Sequence, residues 1–194
     1  MEYSNQYTKH TRDELIKLVS AQMSDKRFQH VLRVEKKALE LAEKYDVDLE
    51  KASIAALTHD YAKERPDEEM ITLIRQSEID NDIIRYGNNI WHGIVGARLV
   101  LKELGISNQD ILKAIESHTT GSQSMSELEK VIYVADYIEE GRHFPVVEEA
   151  RLVANKNLDE AVAFETKHTL LYLINNQNKI YPKTLETYNA WVVR

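Results

Sequence analysis

The scarcity of glycine and proline is the feature that most restricts the fold of this chain. Its 194 residues include 6 glycines and 3 prolines, about 5% of the sequence where roughly 12% is the average. Because these two residues form most tight turns and end many helices, a sequence poor in both favours long helices over the short strands of an all-β fold. The length suits one packed domain. We therefore predict an all-α, single-domain protein.

The spacing of apolar residues supports this prediction, because steps of three and four residues alternate along most of the chain. A helix is predicted to start near residue 12 after Thr11, a long one to end at Tyr45, and a third, capped by Asp48, to run toward Pro66. The same criteria predict further helices over 70–74, 83–84, 92–105, 107–118, 124–141, 146–155, 158–176 and from 184 onward.

Capping signatures place the starts of two of these helices. A capping box is predicted at Ser107 with Asp110, and another at Ser124 with Glu127. The polar pair at residues 81 and 82 is predicted to form a turn between two short helices.

Charge and cysteine content limit the partners of the protein. The chain carries 25 basic and 32 acidic residues and has no basic block, so duplex nucleic acid is not an expected partner. Without cysteine, it can form no disulfide and no sulfur-bound zinc site, and any metal must be bound by nitrogen and oxygen. The longest apolar runs fall far short of the roughly 18 residues that span a bilayer, so we expect no membrane partner and a cytoplasmic location. Both a monomer and a homodimer stay open.

Four histidines and two aspartates stand at the apolar boundaries of different predicted helices: His30, His59, Asp60, His92, His118 and Asp136. Imidazole and carboxylate are the expected ligands of first-row metals when sulfur is absent. The set suffices for two ions bridged by Asp60, one on His30, His59, Asp60 and Asp136, the other on His92 and His118. A shared carboxylate holds two cations about 3.5 to 4 Å apart, the arrangement that activates water for attack on phosphorus.

The segments around these residues resemble one family. They are Arg27–His30, Ala55–Lys63, His92–Ala97, Ala114–Gly121 and Tyr133–Glu139. Together they resemble the YqeK-like HD-domain phosphohydrolases, whose signature is a His, a His-Asp pair and a distal Asp on an all-α scaffold. The match runs from about residue 25 to 145 and implies a single HD domain over 1–194, with a helical C-terminal cap over 146–194.

The resemblance also implies an activity. Members of this group are bacterial symmetrical dinucleoside-tetraphosphate hydrolases, which bind two metal ions, usually iron, and cleave diadenosine tetraphosphate into two ADP. The nitrogen and oxygen ligands of this chain suit manganese, cobalt or nickel as well. The expected partners are therefore a dinucleoside polyphosphate substrate and a nucleoside diphosphate product.

Three cations near the motifs point to a phosphate substrate independently of the resemblance. Arg27 precedes His30 by three residues and Lys63 follows His59 by four, so on continuing helices each would share a face with that ligand. Arg142 follows the last motif helix. Arginine can bind a phosphate by a fork and lysine as a point charge.

Catalytic roles are assigned on this basis to Asp60, which holds the ions together, to the phosphate-binding Lys63 and Arg142, and to His118. His118 or a water molecule would protonate the leaving group. Thr119 and Gly121 are predicted to place a hydroxyl and closely approaching backbone beside the nucleotide, and the alternative for both is an ordinary helix-ending turn.

This chain departs from the family pattern around Arg142. A proline is expected after Glu139 and a glycine after Pro145, whereas the sequence has Glu140 and Val146. We therefore expect the loop that carries Arg142 to be placed differently from the corresponding loop of the family.

Two other functional hypotheses remain open. The substrate could be a nucleoside monophosphate, a deoxynucleoside triphosphate or a guanosine alarmone, as in other HD-domain groups. A nucleotide-binding sensor with structural metals belongs to another class. All six candidate ligands are present, which argues against the sensor, because a binding module needs no open dinuclear site.

Overall fold

The computed structural model describes residues 1–193, and within this range it contains α-helices and one 3₁₀ helix but no strand, which confirms the predicted all-α class. The 3₁₀ helix spans Asn81–Tyr86, between α4 and α5. The α-helices are α1 (Arg12–Ser20), α2 (Asp25–Lys44), α3 (Leu49–Thr58), α4 (Asp67–Arg75), α5 (Asn88–Leu104), α6 (Gln109–Ser117), α7 (Glu127–Ile138), α8 (Val147–Ala154), α9 (Leu158–Asn175) and α10 (Pro182–Trp191).

Four helices form the centre of the molecule. Helix α2 packs against α3 and α7, and α6 packs against α3 and α7. Helix α5 lies on α6, while α9 contacts α7 and α8, and α10 contacts α9. One continuous cluster of buried apolar side chains joins these layers. None of the helices in the described part of the chain is long and apolar enough to cross a membrane.

The predicted starts of the first and third helices are confirmed. Thr11 and Glu14 form a complete capping box at α1. The Asp48 carboxylate accepts a hydrogen bond of 3.0 Å from the Lys51 backbone N–H at the start of α3. In both cases a side-chain oxygen satisfies an amide that would otherwise lack a partner.

The predicted caps of α6 and α7 were wrong by one and two residues. Asn108, not Ser107, caps α6 by accepting hydrogen bonds from the backbone amides of Asp110 and Ile111. At α7, Ser126 with Glu129 forms the capping box in place of Ser124 with Glu127. The sequence carries both S-x-x-E patterns. The structure uses the second because the Glu129 carboxylate is buried, where it also accepts a hydrogen bond of 3.1 Å from the Ser117 hydroxyl at the end of α6.

Helix α3 ends at Thr58, well before Pro66, and tight turns follow it. The His59 ring donates to the Ala56 carbonyl, in the last turn of the helix, at 2.6 Å. The Lys63 amide bonds to the Asp60 carbonyl, three residues back. The prediction that Lys63 lies on a continuing helix was therefore wrong.

Smaller differences concern other helix ends. The pair at residues 81 and 82 opens the 3₁₀ helix instead of forming a turn. Helix α5 begins at Asn88, four residues before His92, and α7 ends at Ile138, before Gly141. Helix α10 begins at Pro182, because a proline fits the first helical position, where no N–H is needed.

Candidate metal centre

The six predicted ligands meet at one place inside the central helices. His30 lies in α2, His92 in α5 and Asp136 in α7. The other three follow a helix end directly: His59 and Asp60 after α3, and His118 after α6. All are buried except Asp136, which is partly exposed. The packing of α2, α3, α6 and α7 thus assembles side chains that are up to 106 residues apart in sequence.

All four histidines hold their Nδ1 atom against an acceptor. His59 donates to the Ala56 carbonyl at 2.6 Å, His118 to the Ile115 carbonyl at 2.7 Å and His92 to the Asn88 carbonyl at 2.8 Å. His30 donates to a Glu139 carboxylate oxygen at 3.2 Å. Since these oxygens can only accept, each ring carries its proton on Nδ1 and directs the lone pair of Nε2 toward the cluster.

The two oxygens of Asp60 face different histidines. Its Oδ2 atom lies 3.6 Å from His30 Nε2 and 3.4 Å from His59 Nε2. Its Oδ1 atom lies 3.3 Å from His92 Nε2 and 3.9 Å from His118 Nε2. Asp60 therefore stands between two groups of nitrogen ligands.

Asp136 completes the first of these groups. Its Oδ1 atom lies 3.0 Å from His30 Nε2. Ligand atoms that fall within 4.8 Å of one another define three triads: His30, His59 and Asp60; His59, His118 and Asp136; Asp60, His92 and His118.

The unpaired nitrogens of the cluster fit bound metal. The Nε2 atoms of His30 and His59 are buried and lack a hydrogen-bond partner, an arrangement that is costly unless a proton or a cation fills it. The Nε2 atoms of His92 and His118 face each other at 3.0 Å, and two lone pairs at this distance repel unless a cation lies between them. The buried cluster of histidine and aspartate thus fits a divalent metal site.

The electrostatics of the cluster keep Asp60 and Asp136 ionised and His118 neutral, which are the forms that bind metal. Burial opposes ionisation of Asp60, but His59 and His92 beside it outweigh burial and hold the pKa well below its usual range. The pKa of Asp136 is likewise held well below its usual range against the effect of burial, by the neighbouring His30 and by the Arg142 guanidinium. Burial, together with His92 and His59, lowers the pKa of His118 to about 3. His118 is therefore neutral, as a metal ligand must be.

The three predicted phosphate-binding cations surround the cluster. Arg27 donates to Asp60 Oδ2 at 3.0 Å, and Arg142 donates to Asp136 Oδ1 at 2.6 Å. The Lys63 Nζ atom lies 3.4 Å from His92 Nδ1, even though α3 has already ended. Burial lowers the pKa of Lys63.

A cavity of about 430 Å³, which we call the basic cavity, opens at the His30 side of the cluster. Three arginines line it, and its full lining is Ser24, Lys26, Arg27, His30, Arg33, Glu64, Glu139, Gly141 and Arg142. The positive charge of this lining is suited to an anionic ligand.

Sequence reasoning missed two residues of the site, Glu139 and Arg33. The buried Glu139 carboxylate accepts from His30 Nδ1 on one oxygen and from Arg33 Nε, at 2.6 Å, on the other. The Gly141 amide also donates to this second oxygen. A signal existed, because Glu139 follows Asp136, and Arg33 follows His30, by the three residues that place side chains on one helix face.

Thr119 and Gly121 lie just beyond the cluster, after α6. The Thr119 hydroxyl is buried without a hydrogen-bond partner. Gly121 has φ of 63° and donates its amide to the Ser117 carbonyl at 2.8 Å, as helix-ending glycines do. A Cβ atom at Gly121 would lie 2.5 Å from a Thr187 methyl, so this glycine permits close packing of α10. Their predicted contact with substrate stays a prediction.

Comparison with known families identifies the class of this protein. The family model described as HD domain matches residues 27–141. This range holds all six candidate ligands, and the chain belongs to the HD domain family.

Several relatives are similar over nearly their whole length. The chain is 43% identical over 182 residues to the symmetrical bis(5'-nucleosyl)-tetraphosphatase of Bacillus subtilis, covering 94% of this chain and 97% of that protein. It is 39% identical over 177 residues to the protein of the same name from Staphylococcus aureus, covering 90% and 91%. A crystal structure from Clostridium acetobutylicum, described as a predicted HD superfamily hydrolase involved in NAD metabolism, superposes with a TM-score of 0.88 at 38% identity, covering 93% and 96%.

Proposed function

We propose that this protein is a metal-dependent hydrolase that cleaves diadenosine tetraphosphate symmetrically into two ADP. The observation that carries the proposal is Asp60, whose two oxygens each face a separate pair of histidine nitrogens. Such a carboxylate suits two ions side by side. Similarity to the Bacillus and Staphylococcus tetraphosphatases over more than 90% of their length supports the choice of substrate.

In this proposal one ion is held by His30, His59, Asp60 and Asp136, and the other by His92 and His118 together with Asp60. Two bound ions would polarise phosphate oxygens and make water nucleophilic at neutral pH. Iron is our first choice of metal, because the resemblance to the YqeK-like group implies it. Manganese, cobalt and nickel suit the same ligands.

Side chains of the protein itself would bind the phosphates of the substrate. Arg27 and Arg142 place their charges beside the two carboxylates and Lys63 places its charge beside His92, where phosphate oxygens of the substrate would meet the ligands. Arg27 and Arg142 can bind by forked hydrogen bonds and Lys63 by charge alone. The tied Nδ1 and the low pKa of His118 favour its role as a ligand, so a water molecule is the better donor of the leaving-group proton.

We further propose that α8–α10 form a cap on the same domain. Helix α9 contacts α7, which carries Asp136, and α10 contacts α9. The Thr187 hydroxyl of α10 donates to the Thr120 carbonyl at 2.9 Å, next to the end of the metal-binding α6. These contacts support one domain over the chain.

Product analysis tests the function. Diadenosine tetraphosphate is incubated with protein purified without air and supplied with ferrous iron, beside a chelated sample, and the nucleotides are separated by chromatography. ADP as the sole product, lost on chelation, is the expected result. ATP plus AMP would contradict symmetrical cleavage, and no product from metal-loaded protein would overturn the activity. Parallel assays with a nucleoside monophosphate, a deoxynucleoside triphosphate and a guanosine alarmone would then show which nucleotide replaces it.

A further inference from the structure

Another cavity, of about 420 Å³, lies beside the first turn of α5 and has a different chemistry from the basic cavity. We call it the aromatic cavity. Its walls include two tyrosines, Tyr86 and Tyr181, the apolar side chain of Leu173, the amide of Asn89 and the cation of Lys179. No tyrosine, tryptophan or phenylalanine among the described residues lines the basic cavity.

The two tyrosines come from distant parts of the chain. Tyr86 ends the 3₁₀ helix and Tyr181 precedes α10, yet their ring centroids lie 5.0 Å apart at an interplanar angle of 73°. Both side chains are only partly buried, so apolar ring surface remains open to the cavity. Aromatic and apolar walls with a few polar groups are typical of sites that bind a flat heteroaromatic base.

A chain of contacts connects the aromatic cavity to the metal ligands. Asn89 lines the cavity and accepts a hydrogen bond of 3.1 Å from Lys63 Nζ. The same Nζ atom lies 3.4 Å from Nδ1 of the candidate ligand His92. Through Asn89 and Lys63, the aromatic cavity is therefore two side chains away from the candidate ligand His92.

The two cavities lie toward histidines that face opposite oxygens of Asp60. The basic cavity borders His30, which faces Oδ2, and the aromatic cavity is connected through Asn89 and Lys63 to His92, which faces Oδ1. Symmetrical cleavage of a dinucleoside tetraphosphate requires two nucleoside diphosphate halves to extend in different directions from the central phosphates. The aromatic cavity, toward the Oδ1 side of Asp60, is a candidate position for the nucleoside of one half.

We propose that the aromatic cavity is a nucleoside subsite, which binds the base and ribose of one half of the dinucleotide while its phosphates pass Lys63 toward Asp60. The proposal rests on the proposed function for the identity of the dinucleotide. Tyr86 and Tyr181 provide the apolar surface for the base, and Asn89 and Lys179 provide polar contacts at the rim. None of these four residues belongs to the metal cluster.

Binding, not turnover, tests this proposal. The affinities of ADP and of inorganic pyrophosphate are measured by calorimetry on Mn²⁺-supplied protein, for the unchanged chain and for Tyr86→Ala. We expect the affinity for ADP to fall roughly tenfold, because one stacking surface for the base is lost. The affinity for pyrophosphate, which has no base, should not change. The matched control is Tyr172→Ala, which removes an exposed tyrosine of α9 that does not line the cavity.

A second variant guards against a folding defect in the first. Asn178 is exposed at the cavity wall, so Asn178→Trp would fill the cavity without removing a core contact. This variant should also lower the affinity for ADP and leave the affinity for pyrophosphate unchanged. Unchanged ADP affinity in both variants, or an equal loss for pyrophosphate, would overturn the subsite.

The outcome is separate from that of the activity assay. If the protein cleaves no diadenosine tetraphosphate, but both variants lose affinity for ADP and keep their affinity for pyrophosphate, the proposed function fails and the nucleoside subsite stands. If cleavage is confirmed and ADP binding is unchanged in both variants, the subsite fails alone.

Discussion

Replacing Glu139 with glutamine should weaken metal binding although no metal ligand is changed. One Glu139 oxygen accepts from His30 Nδ1, and the other accepts from Arg33 Nε and from the Gly141 amide. A carboxylate accepts on both oxygens, but an amide offers one accepting oxygen and one donating NH₂ group. In Glu139→Gln the oxygen will face the side with two donors, one of them a charged guanidinium.

The NH₂ group of the new glutamine then faces His30 Nδ1. This contact is favourable only if Nδ1 accepts, which moves the ring proton to Nε2, the atom aimed at Asp60 and Asp136. In that tautomer His30 Nε2 has no lone pair for a metal ion, so metal binding must first return the proton to Nδ1. Losing such a supporting group costs about 10- to 100-fold in metal affinity, or roughly 1.4 to 2.7 kcal/mol.

The assay is a competition titration of Mn²⁺ between the protein and a fluorescent chelator, and the control is Glu140→Gln. Glu140 is adjacent in sequence but exposed, where it pairs with Lys36. Glu140→Gln removes the same charge as Glu139→Gln, but its affinity for Mn²⁺ should match that of the unchanged chain. Equal affinities in Glu139→Gln and Glu140→Gln would refute the reasoning, provided that thermal unfolding shows both metal-free variants to be folded.

Asp60→Ala should abolish hydrolysis of diadenosine tetraphosphate and lower the metal content, while the helical circular dichroism signal is preserved. Full activity in this variant would contradict the dinuclear hypothesis. Arg12→Ala should lower the free energy of unfolding in urea by about 3 kcal/mol, because it leaves the buried Glu35 carboxylate without its bidentate partner; a loss below 1 kcal/mol would contradict this. Ser126→Ala should lower the free energy of unfolding by about 1 kcal/mol in the same assay, since it removes the cap of α7. Ser124→Ala should leave this free energy almost unchanged. If Ser124→Ala were the more destabilising of the two, α7 would begin where the sequence predicted.

The fold was predictable because its signals are local. Apolar spacing and the scarcity of turn residues indicate helices wherever the structure has them, and the caps at Thr11 and Asp48 could be assigned from sequence. The cap of α7 could not, because the sequence holds two overlapping candidates and the choice depends on a contact between Glu129 and Ser117 of another helix. Local patterns cannot distinguish candidates that differ only in tertiary contacts.

The site divides in the same way. The six candidate ligands could be predicted from residue type and motif, and the structure brings them into one cluster. The roles of Glu139 and Arg33 depend on how the end of α7 meets α2, so the sequence alone did not reveal them. The aromatic cavity was missed for a related reason, since Tyr86 and Tyr181 meet only after α10 has folded back to the 3₁₀ helix.

The same local arrangement orients two of the candidate ligands, His59 and His118. His59 and His118 each follow the last residue of a helix, and each donates Nδ1 to the carbonyl three residues back. The residue before each carries a hydroxyl, Thr58 and Ser117, which donates to the carbonyl four residues back, at 2.7 Å and 2.8 Å. The hydroxyl and the imidazole thus both bond to carbonyls in the last turns of their own helix.

Each ring is therefore held by the backbone of its own helix, directly after the last helical residue. The His59 and His118 rings meet with centroids 4.9 Å apart because α3 packs on α6. A hydroxyl residue followed by histidine at the end of an apolar helix is a pattern that sequence reasoning can use, because the carbonyl that accepts from the ring lies three residues back in the same helix.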